Sequence, residues 1–427
     1  MRLSLPILIL ALGAVRIPGA AAGPQPAPAS TDSAAMPWRI PLRLPAAPPA
    51  PAETRASPES ASAVDFLWVV RTTLVHPEEF PDLIAQARTM GVRGLLVQVV
   101  GRGDAYYPSA LLPRAEALGP PRTDGAEPDR LADLIARAHA AGLEVHAWMN
   151  CLLAWSAPQR PRDPSHVVNA HPEWIARMRD GRKLSQLSPR QRARLKVEGV
   201  FLAPANAGVR TFIASIAAEI ARRYPVDGIH LDYIRQPGVA VGYDPGTRAQ
   251  FALETGVDPL RLGAVPEERR AEIDSLWADF QRRQVTAVVR EVRDSLAAVD
   301  SALARRPALS AAVLADTAAA RDLHAQAWPE WLRTGCLDRA YVMCYAAPVQ
   351  TVLDQLAGYE RCLGTGRDVV PGIAVYNTRP ALAAAKIQGA RALGFPLLAL
   401  YSYDALKERP GYWQALQTSL AAPEGGR

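Results

Sequence analysis

Eight short, almost uninterrupted apolar runs dominate the 427-residue chain from residue 64 onward, and a stretch of helical periodicity follows each one. The runs are Phe66–Val70, Leu95–Val99, Val145–Met149, Gly228–Asp232, Leu309–Leu314, Ala340–Cys344, Val370–Val375 and Pro396–Leu400. Strands without polar alternation belong to parallel sheets covered on both faces. The intervening segments carry one apolar stripe each. Leu131, Leu134, Ile135 and Ala138 mark one helix, and Val209, Phe212, Ile213, Ile216 and Ile220 mark another. A longer helical pattern runs from about Ala271 to Leu296, and further helices read at roughly 80–90, 320–333, 350–361, 380–392 and 411–420. Gly91, Gly142 and Gly394 close three of these segments, as C-terminal stops do. Eight such units predict an α/β chain folded as a (β/α)8 TIM barrel over residues 63–420. A doubly wound open sheet is the alternative, but no GxGxxG follows the first run.

The segments ahead of the barrel read differently. Met1-Arg2 precedes an apolar run from Leu3 to Val15 that ends at Ala20-Ala21-Ala22, the pattern of a signal peptide over residues 1–22. Residues 23–62 are dominated by Pro, Ala and Ser and are expected to form an extended linker. Export, to the periplasm or beyond the cell, follows from that reading. The four cysteines, Cys151, Cys336, Cys344 and Cys362, build no CxxC or zinc-like cluster; a Cys336–Cys362 bridge stays open. The net charge of +6 comes from dispersed arginines, densest between Arg177 and Lys196. That segment is expected to be a solvated loop, with contact to an anionic wall polymer as the other reading. Nucleic acid does not suit an exported chain. No cofactor motif is visible, and no Asp/His spacing builds a metal site.

In such barrels, chemistry is expected at the C-terminal ends of the strands. The fourth run releases Asp232 and Tyr233 there, after His230. The second run is followed by Arg102 and Asp104, and the third contains or ends in His146, Trp148 and Asn150. The fifth run gives Asp316, the sixth Tyr345, the seventh Tyr376 and Asn377, and the eighth Tyr401, Tyr403 and Asp404. Two connections leaving this end are unusually long, Asn150 to Asn206 and Tyr233 to about Glu268. Carboxylates, aromatic faces and amide or imidazole donors around one mouth suit glycoside chemistry. There one carboxyl group protonates the leaving oxygen and a second attacks the anomeric carbon or activates water, while aromatic faces hold the sugar ring. Other readings stand beside these. His146 or Trp148 could fill the barrel interior, Arg102 and Asp104 could pair to order their own loop, and Asp404 could cap a helix. Asp227, ahead of the fourth run, reads as structural.

Three motifs in order resemble the glycosyl-hydrolase-like family 10 group of exported bacterial (β/α)8 proteins: Gln98-(x)3-Arg102-Gly103-Asp104-Ala105-x-Tyr107, Val145-His146-Ala147-Trp148-Met149-Asn150, and Val226-Asp227-Gly228-Ile229-His230-Leu231-Asp232-Tyr233. The resemblance covers roughly residues 64 to 405. It implies a glycosidase acting on a bacterial polysaccharide, with Asp232 at the catalytic strand end. The chain departs from the family pattern where Tyr233 replaces a second Asp, at Ala203-Pro204-Ala205-Asn206, and at Ile234-Arg235-Gln236-Pro237. The second carboxylate is therefore open, with Asp104, Asp316 and Asp404 as candidates in that order. A chitinase-like, substrate-assisted hydrolase is a weaker alternative, because Ile234 stands where that family places its acidic Glu and Ile transfers no proton. A non-catalytic carbohydrate-binding barrel is the alternative of a different class.

Overall fold

Parallel strands satisfy their backbone only through neighbours, and eight of them do so completely by closing on themselves. The computed structural model describes residues 63–121, 128–300, 306–363 and 366–422. The signal and linker expectations lie outside the described residues. The strands are β1 (Phe66–Val69), β2 (Gly94–Val100), β3 (Glu144–Asn150), β4 (Gly228–Asp232), β5 (Ala308–Leu314), β6 (Arg339–Cys344), β7 (Val369–Ala374) and β8 (Ala399–Tyr401). Each pairs in parallel with its sequence neighbours and β8 pairs with β1, giving a closed eight-stranded barrel. A helix packs outside after every strand: α1 (Phe80–Met90), α2 (Arg130–Ala140), α3 (Ala207–Arg223), α4 (Glu267–Asp300), α5 (Trp328–Arg333), α6 (Val349–Leu363), α7 (Pro380–Ala392) and α8 (Tyr412–Ala421). This is the (β/α)8 TIM barrel that the alternation of runs predicts.

Two boundaries differ from the sequence reading. The helix expected at 320–333 is two helices, Thr317–His324 and α5, separated where Ala325 takes a left-handed conformation (φ 54°). Pro329 sits in the first turn of α5, where its missing N–H costs nothing. The eighth strand begins at Ala399 rather than Pro396, since Pro has no N–H for a ladder.

Side chains alternate between two apolar compartments. Leu67, Val69, Val97, Ala147 and Leu231 face the helices, whereas Phe66, Trp68, Leu96, Trp148 and Tyr341 fill the barrel interior. The interior is mostly aromatic, with the Tyr341 ring centroid 5.4 Å from that of Phe66 and 5.7 Å from that of Trp68. Such bulk fits because glycines stand opposite it. A Cβ on Gly372 would lie 2.6 Å from the Trp68 ring, and one on Gly228 would lie 2.1 Å from His146 Nδ1.

The two long connections both rise from the C-terminal end. The first folds into a two-stranded antiparallel ribbon, Leu153–Trp155 against Val200–Phe201, and a helix at Pro189–Leu195. The second holds a helix at Pro245–Thr255, which packs Phe251 against Trp277 and Phe280 of α4. Cys336 is buried with a free thiol, as are Cys151 and Cys344; the side chain of Cys362 lies outside the described residues. No helix among the described residues is long and apolar enough to cross a membrane.

Candidate active site

The last residue of β4, Asp232, is 7% exposed and faces the C-terminal mouth. The Tyr233 backbone N–H donates to Asp232 Oδ1 at 2.6 Å. Tyr233 itself holds a left-handed backbone at φ 50°, which costs a bulky residue roughly 1–2 kcal/mol and recurs where function needs an unusual chain path. That turn brings Arg235 back over the strand end. Its guanidinium, 6% exposed, lies 4.4 Å from the Tyr233 ring centroid. It reaches two carboxylates at once, with Nη1 3.6 Å from Asp232 Oδ1 and Nη2 3.4 Å from Glu198 Oε1. Burial pushes the Asp232 carboxyl above the ordinary range; Arg235 draws it back, and the Glu198 charge adds to the rise.

Aromatic residues wall the other side. Tyr345 and Tyr401 lie with centroids 5.3 Å apart, and Tyr376 stands 6.2 Å from each. Trp148 lies 6.4 Å from Tyr401 and forms the floor. Desolvation raises the hydroxyls of Tyr345 and Tyr401, and pushes Tyr233 up to about 12, so all three present neutral O–H groups at neutral pH. Tyr376 is 36% exposed and reaches the solvent edge.

A polar chain fixes the rim between β1 and β3. Trp148 Nε1 donates to Asn150 Oδ1 at 3.1 Å, and Gln98 Nε2 donates to the same oxygen at 3.3 Å. Asn150 Nδ2 donates to the Gly101 carbonyl at 2.7 Å, and Arg71 donates to Gln98 Oε1 at 2.8 Å. Asn150 is thereby committed to its neighbours and holds the floor in place.

The remaining residues singled out in the sequence separate by position. Asp104 is buried in the β2 loop; its Oδ1 accepts the Arg102 backbone N–H at 2.8 Å, and its Oδ2 has no hydrogen bond. Arg102 Nη2 stands 3.9 Å from Asp104, with its guanidinium 4.6 Å from the Trp155 ring centre. Asn377 donates to the Tyr345 carbonyl at 3.1 Å, bracing two mouth loops.

Asp316, Tyr403, His146 and His230 stand apart from the cluster around Asp232, and Asp404 touches it only through its charge on Tyr401. Asp316 is exposed and caps the helix Thr317–His324 by accepting from Ala319 N–H at 2.9 Å. Asp404 clamps the eighth unit to the first, accepting from Val70 N–H at 2.8 Å and Thr72 Oγ at 2.9 Å. Tyr403 lies outside the barrel, where Glu79 and Asp82 act on it and Lys407 stands 5.0 Å from its ring. His146 sits at the opposite, N-terminal end, its Nε2 3.1 Å from Glu144 Oε2. A cavity of about 340 Å³ opens there, lined by Arg93, Glu144, His146, Asp227, Arg339 and Asp368 among others. That face ordinarily serves stability. Asp227 accepts the Val145 N–H at 2.8 Å, a structural contact.

His230 lies one layer below Asp232 and is fully buried. Trp68 Nε1 donates to its Nε2 at 3.2 Å. An indole N–H only donates, so the imidazole proton sits on Nδ1 and donates to Ser310 Oγ at 3.0 Å. Burial holds this imidazole down at about 3.

Glu198 and Arg235 escaped the sequence reading. Glu198 comes from late in the first long connection, just ahead of the short strand Val200–Phe201, where no barrel-strand end announces it, while Arg235 stood in view as a departure from the family pattern. Ile234 is fully buried among the apolar side chains between strands and helices.

Comparison with known proteins agrees with this architecture. The chain is 25% identical over 245 residues to glycosyl hydrolase YngK of Bacillus subtilis (strain 168), covering 56% of this chain and 41% of that protein. It is 27% identical over 178 residues to glycosyl hydrolase DigH of Escherichia coli (strain K12), covering 38% of this chain and 36% of that one. The chain thus spans about two fifths of the length of these curated relatives. Among solved structures, the fold resembles the PgaB (BpsB) glycoside hydrolase domain from Bordetella bronchiseptica, with a TM-score of 0.62 at 16% identity over 84% of this chain and 98% of that one. It also resembles alpha-L-fucosidase isoenzyme 2 from Paenibacillus thiaminolyticus, with a TM-score of 0.55 at 13% identity over 84% of this chain and 48% of that one. The family model described as glycosyl hydrolase-like 10 matches residues 62–361, most of the barrel, and the chain belongs to that family.

Proposed function

We propose that the protein is an exported glycoside hydrolase that cleaves a bacterial polysaccharide, with Asp232 as an essential carboxylate. The observation that carries this reading is the setting of Asp232: a buried acid at the end of β4 beside Tyr345 and Tyr401, against both of which the Tyr376 ring packs. The rings supply apolar faces for a pyranose and neutral O–H donors for its hydroxyls. Burial raises the Asp232 carboxyl, which is the direction a proton donor to a leaving oxygen needs. Export, to the periplasm or the cell exterior, rests on the apolar run Leu3–Val15 and the small residues at Ala20–Ala22.

The test compares the full chain with Asp232→Asn on a panel of bacterial wall and capsule polysaccharides, reading released reducing ends. A parent that cleaves at least one polymer, with the variant slower by about 10²–10⁴-fold, supports the reading. Equal rates remove Asp232 from the mechanism. Glycan binding without cleavage by the parent replaces the hydrolase with a carbohydrate-binding barrel.

A further inference from the structure

We infer that Glu198 is the second catalytic carboxylate, held opposite Asp232 by Arg235 and acting as the base that activates water. The inference rests on the hydrolase reading and names the partner of Asp232 within the same site. Arg235 is buried, and its two terminal nitrogens face different acids, at 3.6 Å from Asp232 and 3.4 Å from Glu198. These nitrogens lie about 2.3 Å apart in the rigid guanidinium plane, so the nearest oxygens of the two carboxylates are no farther apart than about 9 Å. That upper bound does not exceed the outer limit of the span over which paired carboxyl groups serve one glycosidic bond.

Arg235 Nη1 makes no hydrogen bond. A buried guanidinium with an unused donor, between two acids that each approach it only loosely, is an arrangement a polar ligand completes. Solvent access divides the roles. Asp232 is almost fully buried at the strand end, whereas the Glu198 side chain is 32% exposed, so water reaches it. Asp232 gives its proton to the glycosidic oxygen as the bond from that oxygen to the anomeric carbon breaks. Glu198 takes a proton from water as the water oxygen bonds to the same carbon. Asp232 ends ionised and Glu198 protonated, and proton exchange with solvent restores both. Asp104, Asp316 and Asp404 are engaged by their own loops and helix ends; Glu198 shares its cation with Asp232.

The test adds Glu198→Gln to the parent and Asp232→Asn, all as the full chain, on whichever panel polymer the parent cleaves. The expected result is a loss of about 10²-fold or more in kcat for Glu198→Gln, with loss of the acidic limb of the pH–rate profile and an unfolding midpoint close to that of the parent. A second readout needs no substrate. Carboxyl carbon NMR of Asp232 should show its titration moving to lower pH in Glu198→Gln, because a neighbouring negative charge has gone. A Glu198→Gln variant within about threefold of the parent, beside an inactive Asp232→Asn, overturns the role of Glu198 and leaves the site reading standing. Full activity in both variants overturns the site reading, as does a parent silent on the whole panel, and Glu198 falls with it.

Discussion

The neutral imidazole in the centre of the barrel makes the fold acid-sensitive by a calculable amount. His230 is fully buried, accepts from the Trp68 indole and donates to Ser310. Its folded pKa is about 3 against an ordinary 6.5. Between those values the unfolded chain binds a proton that the folded protein refuses, so stability is intact above pH 6.5 and falls as pH drops. Each unit in that window removes about 1.4 kcal/mol. Going from pH 7 to pH 5 therefore costs about 2 kcal/mol through this residue, and the whole window about 5 kcal/mol. His230→Gln retains an acceptor for the Trp68 N–H and a donor for Ser310 but does not titrate. Urea unfolding of parent and variant at pH 7 and pH 5 isolates the effect. The variant should pay a fixed packing penalty at both pH values and lose about 2 kcal/mol less than the parent on acidification. His166 and His324, also lowered by burial, titrate in both proteins and cancel. Equal acid losses in parent and variant would refute the reasoning.

Two structural predictions accompany this one. Gly372→Ala sets a methyl group 2.6 Å from the Trp68 ring and 3.1 Å from the Val342 carbonyl, and should lower stability by about 2 kcal/mol or more, read from the thermal unfolding midpoint. An unchanged midpoint would mean that the barrel interior yields more than its packing implies. Asp404→Ala strands the Val70 N–H, while the exposed Thr72 hydroxyl turns to water, and should cost about 1–3 kcal/mol. Faster proteolysis at Thr72–Val75 than elsewhere would locate the damage at the seam between the first and eighth units.

The barrel was legible because eight apolar runs cannot be covered on both faces without eight helices, and the runs fell almost where the strands lie. What the sequence conceals is height along the barrel axis. His146, Trp148 and Asn150 share one face of β3 by alternation, yet the first is at the N-terminal end beside Glu144, the second is in the floor and the third is at the rim. Period-two reasoning separates inside from outside but not top from bottom. His230 and Asp232 repeat the lesson on β4, where only the second reaches the mouth. Asp316 and Asp404 stand where strand ends and helix starts coincide in this fold, and both kinds of position favour Asp, so sequence alone does not separate a cap or clamp from a site residue. Glu198 was hidden for the opposite reason. Its place depends on how a 55-residue excursion between Asn150 and Asn206 folds back, and that is decided by contacts remote in sequence.

The glycines opposite the interior rings have a consequence for how such a chain can change. Gly372 and Trp68, and Gly228 and His146, are complementary halves contributed by different strands. A larger residue at either glycine meets a ring, and a smaller residue in place of either ring leaves a void. Each position therefore vetoes drift at its partner, so viable change in the bore proceeds by compensated pairs. Gly372→Ala should be better tolerated on a Trp68→Phe background than alone, and the interior would diversify in coupled steps while the rim loops above it vary one residue at a time.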